Sequence, residues 1–318
     1  MSKLTSTDFT ADAKALNRVS SVRYIKLGKA GGWEAECLKL GIVRYGFNSR
    51  ASKMIALSKS GKWSELTQAF LAAGLEKGVA TRFTNESRHF FEDDGSTLWI
   101  TFMGQTLYWG FVTREPPFLH EDGNGVWRRL RGGWKCTDIK SERLTKDVLS
   151  GALTQLASYR GTSCQVRASE YVIKRLKGIK TPEVEQALAA REAMRRAIVP
   201  LLRLLGPKDF ELLVELVFGA SGYRRVGVVG GVQKTIDLDL ELPVTGERAF
   251  VQIKSKTSQA ELARYVEQIE DHYDQMFFVF HTGAVTTDDA RVRVIGPDDL
   301  ARLVVDAGLS DWLIRKVS

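Results

Sequence analysis

Five residues in the last third of the chain, Glu211, Asp237, Asp239, Gln252 and Lys254, carry side chains able to hold a hard cation and to stabilise negative charge. Three are carboxylates, Gln252 adds an amide oxygen and Lys254 an ammonium. Cleavage of a phosphodiester needs such a set: a cation to neutralise developing charge and ready a water, and a positive group near the attacked phosphate. Magnesium takes oxygen ligands, which the carboxylates and the amide supply, while Lys254 can stabilise the pentavalent state or orient the hydroxide.

The local patterns say which elements must position these groups. Lys208 to Phe218 has apolar residues at helical spacing and ends at Gly219, with Gly222-Tyr223 beyond, so Glu211 and Glu215 share one helix face. Residues 236–242, Ile-Asp-Leu-Asp-Leu-Glu-Leu, alternate strictly, which puts the acids on one face of a strand and the leucines on the other. After a turn over 243–247, the run Ala249 to Lys256 alternates again and places Gln252 and Lys254 on one face. Two adjacent strands with acids on one and Gln/Lys on the other could bring the groups together. Glu215, Glu241 and Lys256 read as surface or supporting residues.

This order of elements and residues resembles the PD-(D/E)xK nuclease superfamily, specifically its Mrr-like branch of restriction endonucleases, in which Gln replaces the usual acid before the lysine. Phe210-Glu211 opens the first helix, Gly222-Tyr223 follows it, Asp237-Leu238-Asp239 lies on a strand, and Gln252-Ile253-Lys254 is the QxK motif on the next. The resemblance implies an α/β fold with a restriction-endonuclease-like mixed sheet flanked by helices. It also implies Mg2+ as cofactor, with Mn2+ substituting, held by Glu211, Asp237 or Asp239, and Gln252. Asp239 matches the usual spacing to QxK, whereas Asp237 sits better in the Ile-Asp-Leu context, and both stay open. The implied activity is type IV restriction of modified or foreign DNA, as in phage defence. A homodimer is the expected partner state, because one such site cuts one strand. Two alternatives remain: a non-catalytic nucleic-acid-binding protein that keeps the nuclease fold, and a structure-selective repair or recombination nuclease.

The rest of the chain bounds these readings. Its 318 residues suggest two domains. We read 1–20 as a loosely ordered arm, 21–168 as an α+β domain, 169–205 as a helical linker with Pro200 as a kink, and 206–318 as the nuclease domain. The formal charge of +8 favours a polyanionic partner such as DNA. There is no apolar run of about 20 residues to span a bilayer and no secretory signal pattern at the start, so the expected location is the cytoplasm, without membrane contact. Cys37, Cys136 and Cys164 lack CxxC spacing, and His89, His120, His272 and His281 form no HxH or HExxH cluster, so a zinc centre is not suggested. The run 227–231 is neither GxGxxG nor a Walker A loop, so no nucleotide cofactor is expected.

Site selection is expected in the first domain, which holds Trp33, Trp63, Trp99, Trp109, Trp127 and Trp134. Aromatic rings near Arg and Lys can stack an extruded base. A first strand through Ile25-Lys26-Leu27, a helix at Trp33, and a hairpin from Thr97 to Val112 are similar in order to PUA-like domains, including EVE readers of modified bases. That resemblance implies a PUA-like β-barrel, and Tyr24, Trp33 and Trp109 are the candidate base-binding residues.

Overall fold

The computed structural model describes residues 6–46, 51–123, 125–226, 237–267, 269 and 273–318. The start of the arm, the glycine run 227–231, Ile236 and His272 lie outside the described residues. The chain divides into two compact units, Met1–Lys180 and Thr181–Ser318.

The first unit is α+β. It contains α1 (Ser6–Leu16), β1 (Ser21–Ile25), α2 (Glu34–Leu40), β2 (Ile42–Tyr45), α3 (Ala51–Lys59), α4 (Trp63–Ala72) and α5 (Lys77–Glu92). These are followed by β3 (Thr97–Met103), β4 (Thr106–Phe111), β5 (Phe118–Leu119), β6 (Val126–Arg129), α6 (Gly151–Thr154), β7 (Ser163–Gln165) and α7 (Ser169–Leu176). The expected hairpin is β3 and β4, with Met103 opposite Thr106 across the turn. β1 runs parallel to β3 and antiparallel to β7, giving the order β4-β3-β1-β7, and a second sheet runs β2-β6-β5. Isolated bridges such as Val112 with Leu130 tie the two sheets together. These pairings do not by themselves define the closed barrel of the PUA-like expectation.

Strand alternation splits the core of this unit. Val22, Tyr24, Leu98, Ile100 and Trp109 pack on one face of the first sheet, while Ile25 and Trp99 pack on the other against helices α4 and α5. α5 is held along its length because Ala80, Thr84, Ser87 and Phe90 form a buried face at helical spacing from its first turns.

The second unit carries a mixed sheet of order β12-β11-β10-β9-β8, built from β8 (Arg224–Arg225), β9 (Leu238–Leu242), β10 (Glu247–Lys256), β11 (Gln275–Thr282) and β12 (Val292–Ile295). Helices α8 (Pro182–Leu202), α9 (Pro207–Ala220), α10 (Gln259–Val266), α11 (Pro297–Asp306) and α12 (Ser310–Val317) flank it. Because neighbouring strand residues point to opposite faces, Val251 and Ile253 join Phe210, Leu213, Val214 and residues of α8, α11 and α12 in one core. Phe250, Phe278 and Phe280 pack instead with Leu262 of α10. The span 169–205, expected as a linker, is thus divided: α7 buries Val172 and Leu176 in the first unit, and α8 buries Ile198 and Leu202 in the second.

Candidate active site

The antiparallel register of β9 and β10 pairs Leu238 with Val251 and Asp239 with Phe250, so Asp237, one residue ahead of β9, falls level with Gln252. Its Oδ2 accepts two hydrogen bonds, from Gln252 Nε2 and from the Ile253 backbone N–H, both at 2.6 Å. Gln252 is 2% exposed, and its Oε1 is buried with no hydrogen-bond partner among the described residues. Leaving such an oxygen unsatisfied costs about 1–3 kcal/mol, so this atom is suited to a cation or an ordered water. Lys254, two residues along β10, lies on the same strand face and is half-buried. Its Nζ is 3.9 Å from Glu261 Oε1 and 5.1 Å from the centre of the Tyr265 ring, both on α10.

The charges in this group are held in opposition. Burial raises the Asp237 carboxyl above the ordinary value, although the Ile253 N–H, the Lys254 charge and Gln252 pull the other way. Burial works against the Lys254 ammonium, but a hydrogen bond to Tyr265 and the charges of Asp237 and Glu261 outweigh it, so its pKa lies above the ordinary lysine value. Lys254 is therefore a fixed cation at neutral pH.

The other two expected ligands are placed differently. Asp239 shares the strand face but is engaged by Arg248, whose Nη2 donates to both carboxylate oxygens at 2.9 Å. Glu211 does not join the group. Helix α9 covers the sheet face of Val251 and Ile253, whereas Gln252 and Lys254 face α10, and Glu211 lies on the exposed side of α9. Among the described residues no three His, Cys, Asp or Glu side chains gather into a metal-sized cluster. What converges is one carboxylate, one amide oxygen and one lysine. That donor set fits Mg2+, which commonly keeps several waters and takes only one or two protein carboxylates. Sequence reasoning missed Glu261 and Tyr265. Their spacing of four, in a helix opening directly after the QxK strand, was the available signal.

Of the three expected base-binding residues of the first unit, Trp33 borders a cavity, whereas Tyr24 and Trp109 are buried. Tyr24 and Trp109 are 2% and 1% exposed, because Tyr24 pairs with Ile100 and Ile100 with Trp109 on the inward face of the sheet. Neither offers a ring face to a ligand, which corrects that expectation. Trp109 Nε1 is satisfied by the Thr137 carbonyl at 2.8 Å. Trp33 is half-buried and lines a cavity with Lys26, Lys29, Arg82, Phe83 and Arg160. Its indole carries the Arg44 guanidinium over the ring at 4.1 Å. A Cβ at Gly28 would lie 2.9 Å, and one at Gly46 2.3 Å, from that indole, so both glycines make room for it. Ala30, in the turn before Trp33, has φ of 51°, a left-handed conformation that costs an L-residue roughly 1–2 kcal/mol.

Comparison with known proteins places the second unit. Residues 202–306, about a third of the chain, match the restriction endonuclease family Mrr_cat. This segment is therefore similar to the Mrr-like restriction endonucleases that the QxK strand resembles. No curated protein matches the chain. A solved structure described as MspJI restriction endonuclease in complex with a 27-mer oligonucleotide is similar over 75% of this chain and 69% of that one, with 14% identity and a TM-score of 0.28. A score at that level does not establish a common arrangement.

Proposed function

We propose that this chain is a Mg2+-dependent DNA endonuclease that restricts modified or foreign DNA. Asp237 and Gln252 are the metal ligands and Lys254 is the catalytic cation. The observation that carries this reading is the orphaned Oε1 of Gln252 beside the Asp237 carboxylate, on the QxK strand of a segment that matches a restriction endonuclease family. The net charge of +8 suits the polyanionic substrate.

A divalent ion bound here supplies a Lewis acid and lowers the pKa of a coordinated water. The chain's own groups do the rest. Asp237 stays oriented through the Ile253 N–H while its other oxygen remains available as a ligand. Lys254 offers a charge that develops no proton equilibrium near neutral pH and so stabilises the charge gathering on phosphate in the transition state. Glu261 and Tyr265 hold the lysine in place from α10. Asp239 serves as the partner of Arg248 and braces β9 against β10. We place the activity in the cytoplasm, as a phage defence, with two protomers contributing the two cuts of a double-strand break. Mn2+ is expected to replace Mg2+, since both accept oxygen donors in octahedral geometry.

The test is digestion of matched plasmids, unmodified, methylated, hydroxymethylated and glucosylated, with Mg2+ and with EDTA. Fragmentation of a modified plasmid only, abolished by EDTA, supports the reading. Binding without cleavage on every plasmid in Mg2+ or Mn2+ would replace it with a binding-only protein. Preference for branched or single-stranded DNA regardless of modification would make it a repair or recombination nuclease.

A further inference from the structure

A cavity of about 410 Å³ in the first unit is walled by two aromatic rings, Trp33 and Phe83, and four cations, Lys26, Lys29, Arg82 and Arg160. Among the described residues its lining contains no Asp or Glu. We propose that it receives one unstacked nucleotide of bound DNA, with the base against the rings and the phosphates on the cations. This inference rests on the reading of the chain as a protein that acts on DNA.

Three features favour a nucleotide. The first is the division of chemistry within one concavity. Trp33 and Phe83 are half-buried, so each is held by packing, Trp33 in part by the Arg44 guanidinium over its ring, and still offers surface. Aromatic faces bind any base by stacking, while the cations bind the backbone. The second is the state of the cations. Lys29, Arg82 and Arg160 are exposed, and Lys26, Lys29 and Arg160 form no ion pair among the described residues, leaving their charges available to phosphate. The third is size. The volume lies within the range of single small-ligand pockets, roughly 300–1,000 Å³, and is too small for stacked base pairs. A base can therefore enter only after leaving its helix, which is how proteins reach an individual base inside a duplex. The wall beside Trp33 is a turn with positive φ at Gly28, Ala30 and Gly31, and unusual backbone of this kind clusters at ligand clamps.

A free nucleotide has the same chemistry, so the experiment includes both sources. Binding of the full chain is measured in EDTA to a paired duplex, to the same duplex with one bulged nucleotide, and to one with an abasic bulge. A bulged base is already unpaired, so little energy is spent in extruding it. The expected result is roughly tenfold tighter binding of the bulged duplex than of the paired one, with the gain lost for the abasic bulge. Phe83→Leu and the surface variant Arg160→Gln should each remove most of that gain while paired-duplex affinity changes less than about threefold. Equal affinity of the wild-type protein for all three duplexes overturns the proposal, as does a gain that both variants retain. Tight binding of a free deoxynucleoside monophosphate with no gain from the bulge overturns the DNA-borne source. Plasmid cleavage in Mg2+ separates the two levels of inference: cleavage without a bulge preference sinks the pocket and leaves the nuclease, and a bulge preference without cleavage does the reverse.

Discussion

The two candidate sites use charge in opposite ways. Around the cavity of the first unit, Lys29, Arg82 and Arg160 stand exposed at the edge of aromatic walls and no acid lines the space among the described residues. At the strand site of the second unit, an acid, an amide and a lysine are buried or half-buried against one another, with burial opposing the charge on both Asp237 and Lys254. Hydrated cations around accessible rings bind a polyanion without storing energy. Partly desolvated opposite charges next to an unsatisfied oxygen are an arrangement that an ion completes. On the function proposed above, recognition belongs to the first unit and chemistry to the second.

The sharpest way to break that division is Lys254→Ala. Loss of one preorganised charge from the transition state should lower Mg2+-dependent cleavage by about 10²–10³-fold while DNA affinity stays within a few fold, measured by plasmid nicking and by anisotropy. An equal loss of binding and cleavage would move recognition into the second unit.

A second effect tests whether buried acids in the two units differ in role. Glu86 of α5 is 3% exposed, and burial pushes its pKa up to about 7, with Arg82, Arg23 and the Ser163 N–H opposing the shift. Because the folded value lies above the ordinary 4.5, Glu86 costs no stability below about pH 4.5, and its unfavourable contribution grows as pH rises to about 7. Glu86→Gln should therefore raise folding stability at pH 8 by up to an amount on the order of 2–3 kcal/mol, read as a higher melting temperature, with the gap closing at pH 4.5. A variant less stable than wild type at pH 8 would mean that the charged carboxylate is needed there. In the second unit, Asp237→Ala should leave no metal-dependent cleavage, measured by plasmid nicking across a Mg2+ titration.

The smallest expected effect is the most discriminating for the ligand set. Asp239→Asn keeps a hydrogen-bond acceptor for Arg248 and should change cleavage by less than about fivefold, in contrast to Asp237→Ala. A loss as large as that of Asp237→Ala would make Asp239 a ligand and reverse their assignment.

Much of this was readable along the chain. Strict alternation over 236–242 and 249–256 placed Asp237, Asp239, Gln252 and Lys254 on one face, because a strand's side-chain period of two is a local property. Helical spacing from Lys208 to Phe218 likewise specified α9. Local pattern also identified the hairpin of β3 and β4. It could not tell which layer each helix would cover. α9 packs against Val251 and Ile253 and α10 against the opposite face, so Glu211 is separated from Gln252 while Glu261 and Tyr265 meet Lys254.

The amino-acid order by itself determined the strands, their apolar and polar faces, and the excess of cations, since these follow from backbone geometry and side-chain type. The tertiary structure alone decided which aspartate faces Gln252, because that depends on cross-strand register and on Arg248 having taken Asp239. It also decided which aromatics remain accessible: Tyr24 and Trp109 turn inward with the sheet, and only packing between distant segments leaves Trp33 and Phe83 beside four cations.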